Sequence, residues 1–231
     1  MKRVYREVRV APAGGGWSIL LDTRTLQTPA RAPLLLPRRR LAEAVAAEWD
    51  AQTEKVVPAT MPLMQLAATA IDRTAAQRDQ VIKDVVGYAE TDLVCYRADR
   101  PPDLVARQSA AWQPLVDWMT LRFDAPLLVT TGVVPKTQPA GALAAIRAAV
   151  EPLDDFWLTA LHGATTACAS VAIGLALVEQ HLDAEGAWRS SQLDETFQIE
   201  QWGEDAEAAA RRAGLRREIE TTSRFMALLR D

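Results

Sequence analysis

The sequence predicts an α+β fold: a small N-terminal domain of short antiparallel strands and helices over residues 1–76, then a mainly α-helical domain over residues 77–231. Three features carry the prediction. Apolar and polar residues alternate through Val4–Val10, a triple glycine follows, and Trp17–Leu21 is apolar again, the pattern of a hairpin. From Arg78 onward the apolar spacing is mostly helical. The run from Phe156 to Val178 carries no Asp, Glu, Lys or Arg over 23 residues, as a buried helix would.

The elements follow in order. After the hairpin, Asp22–Thr25 makes a second turn and Leu34–Leu36 reads as a short strand. Pro37 suits the first turn of a helix, and Leu41, Val45 and Trp49 recur at i, i+4 and i+8 up to about Gln52. Pro58 and Pro62 bracket a loop before a helix over Gln65–Thr74. A helix with Val81, Val85 and Tyr88 on one face gives way to the β-leaning run Thr91–Arg97. Pro101-Pro102 forces a turn, and Asp103 can cap a helix reaching about Phe123. Pro126–Thr131 reads as a strand or extended connector, and a short helix ends before Pro152. The charge-free run is long enough to span a bilayer. Its hydroxyls, His162 and acidic flanks point instead to a buried helix interrupted at Gly163, with Ser170 and Gly174 admitting a close neighbour. Leu215, Ile219, Thr222, Met226 and Leu229 line a C-terminal amphipathic helix.

Composition narrows the function. The formal net charge is −4, which argues against a nucleic-acid binder. The charge is uneven: residues 1–60 hold ten Lys/Arg against six Asp/Glu, residues 185–210 one against seven, and residues 211–231 six against three. The acidic block can dock a partner or pair within the chain. Cys95 and Cys168 sit among apolar neighbours and read as buried thiols in a reducing compartment. The first ten residues have no secretory pattern. The two histidines, His162 and His181, lack partners at metal-ligand spacing, and no nucleotide-loop or nucleophile motif is present, so neither metal nor cofactor is expected. His162 reads as a hydrogen-bonded core residue. The alternative left to an enzyme is a carboxylate-dependent hydrolase, with Asp92 beside Asp194 or Glu195 as acid and base.

The richest stretch is Ser190–Trp202, SSQLDETFQIEQW. As one helix it places Asp194, Gln198, Gln201 and Asp205 in a polar stripe, with Leu193, Phe197 and Trp202 elsewhere on its surface. Such a helix is either a solvated face or a polar binding surface held from behind. Trp49 and Trp202, each beside acidic residues, are candidate anchors among seven tryptophans.

Six segments, in order, resemble one family: LDTRTLQTPAR (21–31), LAEAVAAEWDAQ (41–52), MPLMQLAATAIDR (61–73), TDLVCYR (91–97), WQPLVDW (112–118) and SSQLDETFQIEQWGED (190–205). The chain resembles the assembly chaperones for the alpha subunit of F-type ATP synthase, known from mitochondria and alphaproteobacteria. The resemblance implies a non-enzymatic protein that binds the free alpha subunit and prevents its aggregation until a beta subunit replaces it. It implies no cofactor, no nucleic acid, no membrane insertion, and a chain that is monomeric when free. It carries an important acid onto Glu195, with Asp194 the near alternative, and the partner-binding set becomes Glu195, Asp194, Gln198, Trp202 and Trp49. Met64 departs from the Thr or Ser more usual in the family. The sequence also lacks the N-terminal extension of mitochondrial members, so a cytoplasmic bacterial protein is expected.

Overall fold

The computed structural model describes residues 2–132 and 136–230. Contacts divide the chain into two units: Met1–Arg78 with Asp154–Ala160 and Arg224–Asp231, and Asp79–Leu153 with Leu161–Ser223. The fold is α+β, with short antiparallel strands near the N-terminus and helices through most of the rest.

In the first unit, β1 (Val8–Ala13) and β2 (Gly16–Leu21) form the hairpin, in register from Val8↔Leu21 to Ala13↔Gly16. Gly16 is required by packing: a Cβ there would lie 2.6 Å from the carbonyl oxygen of Leu36. β3 (Arg24–Thr25) pairs with β2. The alternation over Val4–Val10 becomes strand only from Val8, because the Asp22 carboxylate takes the N–H groups of Arg6 and Glu7 at 3.0 and 2.9 Å. The strand expected at Leu34–Leu36 reduces to one bridge, Trp17↔Leu36. Helix α1 (Arg39–Asp50) buries Leu41, Val45 and Trp49 as their spacing requires.

The end of α1 organises the segment after it. Glu48 accepts the N–H groups of Leu63 and Met64, both at 2.8 Å, and so satisfies the first turn of α2 (Pro62–Thr69). Gln52 accepts from the Val57 N–H at 2.8 Å and donates to Thr60 Oγ1 at 3.0 Å. The Tyr5 hydroxyl donates to the Trp49 carbonyl at 2.6 Å. The helix expected over Gln65–Thr74 starts earlier, at Pro62, and ends in one wide π turn, Ala70–Thr74. Asp72 on that turn accepts from Thr28 Oγ1 at 2.6 Å and from the Ala30 N–H at 3.1 Å. Residues 154–160 and 224–231 join this unit through the Thr74–Thr159 hydroxyl contact at 2.7 Å, the Arg78–Asp155 ion pair at 2.7 Å and stacking of Phe156 on Phe225.

The second unit is helical. Helices α3 (Arg78–Gly87), α4 (Pro102–Phe123), α5 (Ala140–Val150), α6 (Asp155–Cys168), α7 (Val171–Val178), α8 (Ala184–Ser191), α9 (Leu193–Trp202) and α10 (Ala206–Arg230) follow in order, α3, α6 and α10 each having residues in both units. β4 (Tyr96–Arg97) pairs in parallel with β5 (Thr130–Thr131). The residue before α4 is Pro101, and Asp103 lies inside its first turn instead of capping it. The charge-free run is two helices, and its break is not at Gly163. It falls at Ala169, φ +51, and Ser170, whose hydroxyl caps α7 by accepting the Ile173 N–H at 3.0 Å. Gly174 does serve close approach, since a Cβ there would lie 2.5 Å from Thr165 Oγ1. Among the described residues no helix is long and apolar enough to cross a membrane.

Asp92 anchors this unit. Its carboxylate is fully buried and accepts from the N–H of Val94 and of Ala172, each at 3.1 Å, tying the turn after α3 to the first turn of α7. Burial outweighs these hydrogen bonds and raises its pKa from 3.8 to about 6. Cys95 and Cys168 are buried thiols, each pushed up to about 12 by burial.

Two outcomes follow. A folded pKa above the unfolded one means that Asp92 contributes stability fully present below about pH 4, lost as pH rises through about 6. Wild type should therefore lose stability relative to Asp92→Asn between those values in urea titrations, and a constant difference would contradict the assignment. Glu48→Ala removes the acceptor for two helix amides and should cost about 1–2 kcal/mol in the same assay.

Candidate functional site

The stretch from Ser190 to Trp202 is not one helix. α8 ends at Ser191, Gln192 leaves helical geometry (φ −110, ψ 20), and α9 runs from Leu193 to Trp202. Gly203, at φ +81 and ψ 176, ends α9 in a conformation that only glycine adopts freely. Asp205 then accepts the N–H groups of Glu207 and Ala208, both at 2.9 Å, and begins α10. The stripe expected from Asp194 to Asp205 therefore loses Asp205. Glu195, Gln198 and Trp202, at i, i+3 and i+7, share one face of α9, flanked by Asp194 and Gln201.

That face is held from behind. Phe197 is 4% exposed. Gln108 on α4 donates to Asp194 Oδ1 at 2.7 Å and accepts from the Ala98 N–H at 2.8 Å, so both ends of its amide are used. Arg107 pairs with Glu200 at 2.6 Å and lies over the Phe197 ring. Arg212 on α10 donates to Gln192 Oε1 at 3.3 Å, Thr196 Oγ1 at 3.0 Å and Glu204 Oε1 at 3.2 Å, with its guanidinium over the Trp188 ring. Burial raises the pKa of Asp194, against the Gln108 hydrogen bond that lowers it.

The acidic block pairs largely within the chain. Glu185 meets Arg216 at 2.7 Å, Glu204 meets Arg212 at 3.2 Å, and Glu195 meets Arg211 at 3.9 Å. What α9 leaves outward is mostly uncharged: Gln198, Gln201 and Trp202, the last 79% exposed, beside Glu200, which Arg107 pairs. Glu195 keeps 39% of its side chain accessible at the margin.

The other predicted residues lie elsewhere. Trp49 is in the first unit, 7% exposed, with its ring edge-on to Tyr5. Asp92 spends its oxygens on backbone amides, and among the described residues no hydrogen bond joins it to Asp194 or Glu195. A cleft of about 1040 Å³ in the second unit, lined in part by Lys83, Tyr88, Arg147 and His162, contains none of these three acids. His162 is half-buried there, with its pKa lowered by burial; it lines that cleft and its imidazole makes no hydrogen bond among the described residues, contrary to the core role expected of it. No group of three His, Cys, Asp or Glu among the described residues could hold a metal.

Comparison with known proteins places this architecture. Residues 2–120 match the family model described as ATP12 chaperone protein. The chain belongs to the ATP12 chaperone family. Atp12 from Paracoccus denitrificans is 42% identical, with a TM-score of 0.95 over 99% of this chain and 98% of that one. An aspartate-to-lysine mutant of the same protein superposes equally, at 42% identity and TM-score 0.95 over 99% of this chain and 97% of that one. Protein atp12, mitochondrial, of Schizosaccharomyces pombe is 22% identical over 219 residues, 89% of this chain and 75% of its own length.

The family match ends before α9, which the solved ATP12 structures do span. Two residues central to α9 escaped the reading of the sequence. Arg212 is one of six arginines in residues 211–231, with nothing in the sequence to single it out, yet its side chain is only 17% exposed. Gln108 carries no sequence signal except its place on a helix face. Arg212→Ala should cost about 1–3 kcal/mol, because it strands three acceptors. It should also speed amide exchange through residues 193–202. Trp202→Ala should stay within about 0.5 kcal/mol of wild type in the same denaturation assay.

Proposed function

We propose that this ATP12-family chain is a non-enzymatic assembly chaperone that binds the free alpha subunit of F-type ATP synthase in the bacterial cytoplasm. The proposal rests on family membership and on the six-segment resemblance. Within the chain, the observation that supports it is Trp202, 79% exposed at the end of a helix that hydrogen bonds and ion pairs hold in place. A large aromatic on a pre-organised surface costs little ordering entropy on binding and is a typical hot-spot residue.

The surroundings suit a transient contact. An unassembled subunit exposes apolar surface meant for its neighbours and is prone to aggregate. A chaperone must cover that surface and later release it. Gln198, Gln201, Asp194 and Glu195 around one tryptophan give a polar, wet contact, weaker than an extended apolar one. Glu195 at the margin steers association and register more than it adds affinity. In this reading Trp202 and Gln198 contact the alpha subunit directly, Glu195 and Asp194 border the contact, and Trp49 contributes from the first unit.

The test uses purified alpha subunit refolded without beta subunit. Wild type should suppress its aggregation and bind it measurably by interferometry. Trp202→Ala and Glu195→Lys should each weaken binding about tenfold or more with melting temperature nearly unchanged. The Paracoccus relative keeps its fold with one aspartate changed to lysine, so charge reversal is a fair probe in this family. Full binding by both variants would reject α9 as the site, and no binding by wild type would reject the partner.

A further inference from the structure

A second recognition element lies in the first unit. Trp49, Val56, Met61, Met64 and Ala68, each no more than 8% exposed, form the floor of a pocket of about 400 Å³. Pro29, Pro58 and Gln65 are exposed at its rim, and the Gln65 amide donates to the Pro58 carbonyl at 2.5 Å. Among the described residues no charged one lines it. The Trp49 indole N–H is buried and has no acceptor among the described residues. A buried unpaired donor is costly and uncommon, because nearly every such group in a folded protein finds a partner.

We infer that this pocket receives an uncharged apolar side chain from an extended segment of the client, whose backbone carbonyl accepts the Trp49 indole N–H. The inference rests on the chaperone reading above and specifies how Trp49 takes part. The chemistry of the pocket selects the occupant. Its walls cannot repay the desolvation of a charge. Its volume fits one large apolar side chain with adjacent backbone, in the range of small-ligand pockets. Its free donor asks for a neutral acceptor, which every peptide bond supplies. Met61 and Met64 are unbranched and flexible, so the floor can yield as the carbonyl reaches the indole. A free subunit offers such segments wherever its contact surface is unpaired, and the contact disappears when a permanent neighbour covers them.

The experiment is a titration of the full chain, labelled with ¹⁵N and with ¹³C at the methionine methyls, using N-acetyl-leucinamide as the apolar side chain flanked by carbonyls. The expected result is a saturable downfield shift of the Trp49 indole N–H with shifts of the Met61 and Met64 methyls. Ala68→Leu, which fills the pocket, should abolish these shifts, and Trp49→Phe should weaken the probe about fivefold to tenfold, the worth of one hydrogen bond. An unmoved Trp49 signal in wild type, or shifts that persist in Ala68→Leu, would overturn the inference even if a variant failed to fold, because the wild-type titration stands alone. The alpha subunit separates the two readings. Weakened capture by both Ala68→Leu and Trp202→Ala supports both sites. Weakened capture by Trp202→Ala alone removes the pocket and leaves the function standing. No capture by wild type removes the partner while the probe titration still judges the pocket.

Discussion

The surface of α9 depends on one half-buried arginine. Arg212 reaches from α10 to the residue before α9, to its first turn and to the segment after it, through Gln192, Thr196 and Glu204, with Trp188 beneath its guanidinium. A planar guanidinium spreads five donors in a fixed fork and so reaches three separated acceptors at once, whereas a lysine concentrates its three donors on one nitrogen. The side chain is largely shielded, so these bonds are less weakened by water than those of a surface pair. Together with Gln108 and Arg107 on α4, it fixes a ten-residue helix that buries only one side chain of its own, Phe197. A helix so short and so exposed would be marginal without such tethers.

This arrangement changes the meaning of the acidic block. Seven acids against one arginine over residues 185–210 suggests a negative docking patch. In the fold, Glu185, Glu195, Glu200 and Glu204 each meet an arginine of the same unit, three of them from the basic α10. Much of the charge is spent on holding the helix, and its exposed residues are Gln198, Gln201, Trp202 and the ion-paired Glu200. Long-range attraction between oppositely charged surfaces then matters less than local fit, as the proposed transient contact would require.

Much of the fold was legible because it is local. The hairpin follows from alternation around three glycines, α1 from the spacing of Leu41, Val45 and Trp49, and α4 ends at Phe123 as its periodicity requires. What was hidden is set by contacts between distant segments. The spacing that gives α1 says nothing of Glu48 and Gln52, which hold residues 57–64 through backbone amides that no local rule locates. Gly163 looked like the break in the charge-free run, but the helix continues through it, and a Cβ there would make only an ordinary contact, 3.6 Å from Thr222 Oγ1. The polar stripe read from helical spacing kept Gln198 and Gln201 outward but not Asp205, and it left Trp202 off the exposed face that the fold gives it. Its limit at Gly203 was readable too, since glycine after the last helical residue is a common stop.

The central claim is that α9 meets the alpha subunit of ATP synthase. The most direct test is amide hydrogen exchange of the whole chain with and without that subunit. The account expects slowed exchange across Leu193–Trp202 when the subunit is bound, strongest toward Trp202. Protection elsewhere, with exchange in α9 unchanged, would contradict it.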